Sequence, residues 1–380
     1  MNSFDYIIIG AGAAGLSLAN AMGKDSFFSK KSILLLDKNA KQTNDRTWCF
    51  WEKGEGDFDD ILHKKWSSIQ FAGQQIDQRY PIAPYEYKMI QGLDFYASMF
   101  KKLDEYPNIT FLNEEVISVT NTATVNTVKT ANNTFIAATL FNSIFDYKEA
   151  LQQQKYPVLQ QHFIGWFIKT EQPVFDPKVA TFMDFSIPQR GNTRFMYLLP
   201  TTAHEALIEY TLFSEHLLKA SEYEEAIKKY ISQKIGVNNY EIVEKEQGSI
   251  PMTSYNFTSK NTSKQIFIGT AGGWTKASTG YTFKSTQKKV TLLIQHLKDQ
   301  KPLQNFGKRD KFWFYDLLLL DILHRRNDLG QSIFEALFKN RKPQLIFKFL
   351  DEETNLLEDV KFISALSPMP FIKALLRRIF

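Results

Sequence analysis

Apolar residues recur along this chain with two different periods, and the points where the period changes predict its elements. Near the N-terminus an apolar run at 6–9 leads directly into a glycine. Small and apolar residues then follow at helical spacing, and a second apolar run at 33–36 ends at Asp37. This order predicts a β–α–β unit. The same patterns predict further elements in this half of the chain: a helix at 91–103, strands at 110–119 and 124–128, and a buried strand at 138–145.

From residue 161 to residue 213 the pattern changes to short apolar and aromatic runs that are separated by Pro, Gly and Asn. Such runs are typical of antiparallel strands joined by tight turns. An amphipathic helix is predicted at 222–235, and a strand that ends in glycines returns at 265–273. A helix is predicted to begin near Thr282, and only helical periodicity is present from residue 305 onward.

The order of these elements predicts an α/β fold with two interleaved parts and a helical C-terminal region. We expect a Rossmann-like dinucleotide-binding domain with an antiparallel β-sheet inserted into it as the wall of a substrate site. The predicted boundaries are 1–60, 88–150 and 264–300 for the nucleotide-binding domain, 61–87 and 151–263 for the substrate-binding β-sheet domain, and 301–380 for the helical region.

The composition excludes several classes of protein. The hydrophobic fraction of 43% and the charged fraction of 23% are those of a folded globular chain, and the net charge of +5 is spread too widely for a nucleic-acid footprint. Cys49 is the only cysteine, so neither a disulfide framework nor a thiolate metal cluster is expected. The first strand leaves no room for a signal peptide, and the apolar stretch at 312–323 is too short to span a bilayer. We therefore expect a cytoplasmic protein, soluble or peripherally bound to a membrane.

The glycines after the first strand carry the clearest chemical signal. Gly10 permits the tight turn from strand to helix, Gly12 lets the backbone approach a pyrophosphate, and Gly15 lets the helix pack closely on the strand. The helix N-terminus then presents free N–H groups to phosphate, and Asp37 lies about where a ribose-binding acid is expected. The candidate nucleotide-binding residues of this unit are Gly10, Gly12, Ala13, Ala14, Gly15, Asp37 and Lys38.

A second glycine-rich segment, at 269–283, follows the returning strand. Glycines there would let the backbone approach a flat ring or a pyrophosphate, beside the N-terminus of the next helix. A plain turn between a strand and a helix is the alternative. The candidate cofactor-binding residues of this segment are Gly272, Gly273, Thr279 and Gly280.

The segment at 44–56 combines aromatic and charged residues and is predicted to be a functional loop. Arg46 could bind phosphate or orient a cofactor ring, and Trp48 and Trp51 could form the wall of a pocket. The alternative is that the aromatic residues belong to the core and that Arg46 forms an ion pair on the surface.

Glu209 is the candidate proton-transfer residue, since it lies within an apolar β run. Strand alternation places Leu207, Glu209 and Thr211 on one face and Tyr210 on the other. On an apolar face, desolvation would raise the pKa of the carboxyl and let it act as a general acid. If that face is solvated instead, Glu209 is an ordinary surface acid. The acidic cluster at 349–354 has no apolar strand around it and is interpreted as a junction between helices.

Several of these segments, in this order, resemble the bacterial lycopene cyclases, flavoproteins related to the aromatic hydroxylases and geranylgeranyl reductases. The resemblance covers nearly the whole chain. It rests on GAGAAGLSLA at 10–19, DRTWCFWE at 45–52, QHFIGW at 161–166, LIEYT at 207–211, IPMT at 250–253 and AGGWTKASTGYTF at 271–283. The second, fourth and last segments are together specific to the cyclases, whereas the first is shared by many flavoproteins. Two positions depart from the family pattern: Ala277 replaces a proline and Asn142 replaces an aspartate.

The resemblance implies that the chain binds FAD, active in its reduced form, with NADPH as the reductant. It implies redox-neutral cyclisation of the linear end groups of lycopene to β-ionone rings, giving β-carotene by way of γ-carotene, with Glu209 as the essential acid. Trp48, Trp51 and Tyr210 then become candidates for lining the substrate pocket and stabilising a carbocation. Residues 370–380 are expected to contact the inner membrane, from which lycopene is drawn; packing on the protein's own core is the alternative for most C-terminal helices.

Two other functions remain open on the sequence. A flavin-dependent monooxygenase or polyprenyl reductase of the same fold would change the oxidation state of the flavin in each turnover. Many such enzymes carry Gly-Asp where this chain has Gly269 and Thr270. A membrane carotenoid-binding flavoprotein without catalytic activity is the other alternative, and it would leave Glu209 in an apolar strand unexplained.

Overall fold

The computed structural model describes residues 2–122, 125–307 and 309–379. The predicted strand at 124–128 and the helical pattern that runs to residue 380 therefore lie partly outside the described residues. The strands are β1 (Asn2–Ile9), β2 (Ile33–Asp37), β3 (Thr47–Lys53), β4 (Lys64–Trp66), β5 (Ser68–Ala72), β6 (Asp77–Pro81), β7 (Tyr85–Gln91), β8 (Ile109–Asn113), β9 (Val116–Asn121), β10 (Asn126–Thr130), β11 (Thr134–Asn142), β12 (Leu159–Lys169), β13 (Val179–Asp184), β14 (Thr193–Pro200), β15 (Glu205–Ser214), β16 (Glu241–Met252) and β17 (Gln265–Phe267). The helices are α1 (Ala13–Lys24), α2 (Gly92–Leu103), α3 (Tyr147–Leu151), α4 (Ala220–Tyr230), α5 (Phe283–Lys298), α6 (Lys311–Arg325), α7 (Gly330–Asn340), α8 (Pro343–Leu350), α9 (Leu356–Ile363) and α10 (Pro368–Ile379).

The first sheet has parallel central strands in the order β8-β2-β1-β11, with β17 beside the end of β11. Parallel pairing of β1 with β2 confirms the predicted β–α–β unit, because α1 has to cross from the end of one strand to the start of the next. The apolar runs of both strands are buried on both faces, as parallel strands require. The carboxyl ends of β1, β2 and β17 meet at one edge of the sheet, so the loops that follow them lie together.

The second sheet has the order β16-β12-β15-β14-β13-β5-β6. Its long strands β12, β14, β15 and β16 are antiparallel, as predicted, but β5 joins β13 in parallel. The sheet is therefore mixed rather than wholly antiparallel. One of its faces is covered by α4, which continues as a π-helical turn at Ile231–Ile235, and the opposite face carries Glu209.

The predicted functional loop at 44–56 is mainly a strand. In it, β3 pairs antiparallel with β7, which also pairs with β4, to form a small separate sheet. The aromatic residues of β3 alternate between two cores: Trp48 and Phe50 pack toward α1 and α5, whereas Trp51 packs toward the second sheet. Aromatic residues favour strands, and here that preference outweighs the charged residues that flank the segment.

Most of the C-terminal helices pack on the protein's own core. Phe338 of α7 stacks on Phe71 of β5 with ring centroids 4.2 Å apart, and Phe347 of α8 stacks on Trp51 at 4.7 Å. These helices cover the face of the second sheet that carries Phe195 and its neighbours. Within the residues that the structure describes, no helix has the length and apolar character needed to cross a membrane.

Candidate active site

A cavity of about 530 Å³ is lined by residues of both large sheets and of β3. The loop after β1 and the first turn of α1 contribute one part of the lining, and β14, β15 and β16 contribute another. The structure thus brings the glycine loop and Glu209, which are about 200 residues apart in sequence, into one space.

The loop after β1 has the geometry that its glycines suggest. Gly10 has φ +97°, a backbone conformation that favours glycine, and a Cβ on Gly15 would overlap the carbonyl oxygen of Gly10. Gly12 has open space around its Cβ position and precedes α1, whose N-terminus has no side-chain cap. Gly12, Ala13 and Ala14 line the cavity, where the free N–H groups of α1 can bind phosphate.

Asp37 lines the cavity at the end of β2, and its carboxylate accepts a hydrogen bond from the backbone N–H of Ala11 at 2.6 Å. Lys38 does not line it: its ammonium lies on the surface, 3.9 Å from Glu115. Lys41 lines the cavity instead, with its Nζ 3.6 Å from the Asp37 carboxylate and its side chain 9% exposed. Lys41 reaches the cavity because its backbone, with φ +57°, forms a turn that directs the chain back over the end of β2.

The second glycine segment reaches the cavity only in part. Thr279 and Gly280 line it, and Gly280 has φ +72°. Gly272 and Gly273 do not line it, because they form the tight turn after β17. A Cβ on Gly272 would overlap the carbonyl oxygen of Phe267, and Gly273 has φ +68°. The geometry of these two residues fits the plain-turn alternative.

Glu209 lies in the middle of β15 and is 8% exposed. Strand register places four residues in one row across the sheet: Tyr197 of β14, Glu209, Gly165 of β12 and Glu246 of β16. Tyr197, Glu209 and Glu246 line the cavity. Gly165 has no side chain, and the two carboxyl groups hydrogen-bond across it. Glu209 is therefore buried, whereas Glu246 is partly exposed, and the solvated alternative for Glu209 does not apply.

The environment of this carboxyl pair favours the protonated state. Burial and the negative charge of Glu246 raise the pKa of Glu209 to about 8, although a hydrogen bond from the Thr211 hydroxyl at 2.5 Å opposes the shift. Burial raises the pKa of Glu246 to about 7, against a hydrogen bond from the Thr47 hydroxyl at 2.7 Å. Their mutual hydrogen bond needs one shared proton, so the two carboxyl groups titrate as a coupled pair.

Of the predicted aromatic pocket residues, only Trp48 lines the cavity. Trp51 lies on the other side of β3, where its indole N–H donates to Asp351 at 2.8 Å. Tyr210 follows Glu209 directly in β15, so its side chain points to the opposite face. There its hydroxyl accepts a hydrogen bond from Arg194 at 2.8 Å. The alternation that placed Glu209 also excludes Tyr210 from the cavity.

Tyr87, Tyr197 and Tyr281 form the aromatic wall beside Glu209, and the sequence analysis did not find them. Burial raises the pKa of each hydroxyl, so all three stay neutral near pH 7. Arg46 also lines the cavity, with its side chain 58% exposed and its Nε 3.5 Å from Asp45. Arg46 therefore forms a surface ion pair and borders the cavity, and its role in binding phosphate or orienting a cofactor stays a prediction.

The acidic cluster at 349–354 connects α8 to α9, as predicted. It has a further structural role, because Asp351 accepts the hydrogen bond of Trp51 and Glu352 forms an ion pair with Lys276 at 3.2 Å. The cluster does not line the cavity that contains Glu209.

The sequence and fold were compared with those of known proteins. A family model described as lycopene cyclase protein matches residues 5–376. The chain belongs to the lycopene cyclase family. Both the glycine loop and the Glu209–Glu246 pair of this family member lie inside the matched region. A sequence search of curated proteins finds no significant match.

Solved structures show the fold of this cyclase family member. A geranylgeranyl bacteriochlorophyll reductase-like protein from Thermoplasma acidophilum has a TM-score of 0.60 and 11% identity, over 100% of this chain and 97% of its own. A flavoprotein/dehydrogenase from Cytophaga hutchinsonii has a TM-score of 0.60 and 11% identity, over 100% and 99%. A mutant of the halogenase PltM in complex with FAD has a TM-score of 0.60 and 12% identity, over 98% and 86%.

Proposed function

We propose that this chain is an FAD-dependent lycopene β-cyclase. It closes the linear end groups of lycopene into β-ionone rings without net oxidation or reduction, giving β-carotene by way of γ-carotene. The observation that carries the proposal is the buried Glu209 carboxyl in the cavity that the glycine loop also lines. A carboxylic acid that stays protonated near neutral pH suits a reaction that moves protons but no electrons.

The residues present fit FAD. The turn from Gly10 to Gly15 and the uncapped N-terminus of α1 fit a pyrophosphate, and Asp37 fits a ribose. Gln161 Oε1 and Thr279 Oγ1 line the cavity and, among the described residues, have no hydrogen-bond partner. Such buried polar atoms need a partner, which a bound cofactor can supply. When bound and reduced by NADPH, FAD would supply negative charge that stabilises cationic character.

The chain's own side chains supply the proton chemistry. Protonated Glu209 gives its proton to the terminal carbon–carbon double bond, and the resulting cation closes the ring. The aromatic faces of Tyr197, Tyr281 and Trp48 stabilise positive charge, since they line the same cavity. Burial of the site keeps water from capturing the cation. Loss of a ring proton then completes the step, so the product is an isomer of the substrate.

We also propose that α9 and α10 contact the cytoplasmic side of the inner membrane, from which lycopene enters. Arg377 and Arg378 of α10 both pair with the buried Asp321 of α6 at 2.8 Å, which leaves an apolar stripe facing outward. That arrangement, with basic residues beside apolar ones, suits an interfacial helix. The exposed large apolar side chains of these two helices are Leu356, Leu357, Val360, Ile363, Met369, Ile372, Leu376 and Ile379.

Pigment analysis in lycopene-accumulating bacteria tests the proposal. We expect the wild-type chain to convert lycopene into cyclic carotenes, and Glu209→Gln to keep FAD and leave lycopene unchanged. Glu205→Gln is the matched control: it lies on the same strand, outside the cavity, in a surface ion pair with Lys169 at 3.5 Å. Unchanged lycopene with soluble, FAD-loaded wild-type protein would refute the cyclase. A hydroxylated or hydrogenated product would instead indicate a monooxygenase or a polyprenyl reductase.

A further inference from the structure

Glu246 is the one carboxyl placed beside Glu209 in the described cavity lining. The two residues are on strands separated by β12, and both are register partners of Gly165. Any side chain at that position would stand between them: a Cβ on Gly165 would lie 3.1 Å from Glu246 Cγ and 2.9 Å from Leu207 Cδ1. At Gly165, the intervening strand β12 therefore has no side chain between the two carboxyl groups.

We propose that Glu246 is a second catalytic carboxyl, the base that removes the ring proton after Glu209 has delivered a proton to the terminal double bond. The proposal rests on the cyclisation proposed above. It is supported by geometry, because an acid and a base a hydrogen bond apart can reach two carbons of one six-membered ring.

The steps balance without an oxidant or a reductant. The O–H bond of Glu209 breaks and a C–H bond forms at the terminal double bond, which leaves a cation on the adjacent carbon. A second double bond attacks this cation, so the ring C–C bond forms and the cation moves into the ring. A ring C–H bond then breaks, its electrons form the ring double bond, and the proton goes to a carboxylate oxygen of Glu246. Exchange of this proton with solvent, together with transfer across the hydrogen bond between the carboxyls, leaves Glu209 protonated and Glu246 charged for the next turnover.

Both carboxyls are charged while the cation exists, so the pair stabilises the intermediate that it creates. The titratable groups of the neighbouring elements are Cys49 of β3, Tyr87 of β7, Tyr197 of β14, Tyr281 before α5 and Glu244 of β16. Of these, the negative charge of Glu244 raises the pKa of Glu246. Lys41 and Arg46 line the same cavity at its nucleotide-binding part.

The test compares Glu246→Gln, Glu246→Asp and the control Glu241→Gln in purified, FAD-loaded protein. Glu241 is exposed on the same strand, so its variant makes the same change of charge away from the cavity. We expect Glu246→Gln to bind FAD normally and to cyclise lycopene about 100-fold more slowly, the loss typical of a removed general base. Its alkaline limb of activity should move to lower pH, because the negative neighbour that raises the pKa of Glu209 is gone. Glu246→Asp should lose less activity and keep the alkaline limb.

Infrared difference spectroscopy gives a readout that does not depend on turnover. The stretch of the buried protonated carboxyl should disappear at a lower pH in Glu246→Gln than in wild type and Glu241→Gln. A wild-type rate and an unmoved alkaline limb in Glu246→Gln would overturn the role of Glu246 and leave the cyclase standing. Equal losses of activity in Glu246→Gln and Glu246→Asp, with the alkaline limb of the pH profile unchanged, would also overturn the role of Glu246. If wild type and Glu241→Gln both fail to cyclise lycopene, the proposed function itself fails.

Discussion

At the scale of single residues, the site depends on what surrounds two carboxyl groups. Glu209 is enclosed by Leu207, the aromatic wall and a second carboxyl, so its charged form is costly and its proton is retained. A carboxyl in this state can donate one proton near neutral pH. Two consequences can be measured, one in activity and one in stability.

The first consequence is a loss of activity at alkaline pH. Since the pKa of Glu209 is raised to about 8, we expect the cyclisation rate to fall as the pH rises through that value. On the acid side, protonation of Glu246, whose pKa is about 7, should lower the rate as well. Initial rates with purified protein and liposome-borne lycopene provide the measurement. A rate that rises across the same range would show that the acid is a different group.

The second consequence concerns the free energy of unfolding. Glu209 has a pKa of about 8 when folded and 4.5 ordinarily, so its contribution to stability is fully present below pH 4.5 and is lost as the pH rises through 8. Glu209→Gln cannot lose a proton, so it should become more stable than wild type above pH 8, by on the order of 2 kcal/mol. Denaturant unfolding at acidic and alkaline pH measures this difference. If the free energies of unfolding of wild type and Glu209→Gln differed by the same amount at acidic and alkaline pH, this prediction would be wrong.

Sequence reasoning could find Glu209 but not its partner, for a physical reason. Alternation along a strand is local, and it separates Glu209 from Tyr210 correctly. Glu246 meets Glu209 only through the order β16-β12-β15, which no local pattern reveals. The signal that was present is the glycine in QHFIGW, because Gly165 is a strand residue with no side chain to pack.

At the scale of elements, the turn from β1 into α1 contains glycines with two different roles, one in ligand binding and one in folding. Glycine spacing predicted this turn because it is fixed by steric limits within a few residues. Lys38 was predicted and Lys41 was not, yet Lys41 is the one that lines the cavity, and the backbone turn at Lys41 has no glycine to mark it. Gly272 and Gly273 show the limit of glycine as a signal, because the turn itself requires glycine at both positions.

Two substitutions in this turn should affect different properties, one FAD binding and the other stability. Gly12→Ala adds a methyl group where no atom lies within 4 Å, so we expect normal stability of the FAD-free protein and weaker FAD binding. Gly15→Ala places its methyl group on the carbonyl oxygen of Gly10. We expect this strained contact to lower the free energy of unfolding by about 1–3 kcal/mol. Thermal unfolding without FAD and flavin titration distinguish the two effects. Equal destabilisation by both variants would contradict the assignment.

At the scale of the whole molecule, segments from distant parts of the chain enclose one cavity, and the helical region has two different surfaces. The return of a glycine-ended strand at 265 predicted the interleaving, and the parallel addition of β5 to the second sheet could not be predicted because it joins distant segments. The core-facing helices α6 to α8 bury Phe312, Phe334, Phe338, Phe347 and Phe349, whereas α9 and α10 leave large apolar residues exposed.

The exposed stripe predicts membrane binding. Leu357→Glu and Leu376→Glu, at side chains that are 83% and 50% exposed, should reduce co-sedimentation with anionic liposomes several-fold and slow turnover of liposome-borne lycopene. Ile117→Glu on β9, at a side chain that is 67% exposed, is the control for a charge added elsewhere. Unchanged sedimentation in the first two variants would place the membrane contact on another surface.

Isotope uptake from solvent tests the central claim most directly. Purified protein with reduced FAD is given lycopene in D₂O, and the product is analysed by mass spectrometry. Protonation by an exchangeable carboxyl followed by loss of a ring proton predicts a cyclic isomer that gains one deuterium for each ring closed. A cyclic product without deuterium, or a product whose mass shows added oxygen or hydrogen, would contradict proton-driven, redox-neutral cyclisation at Glu209.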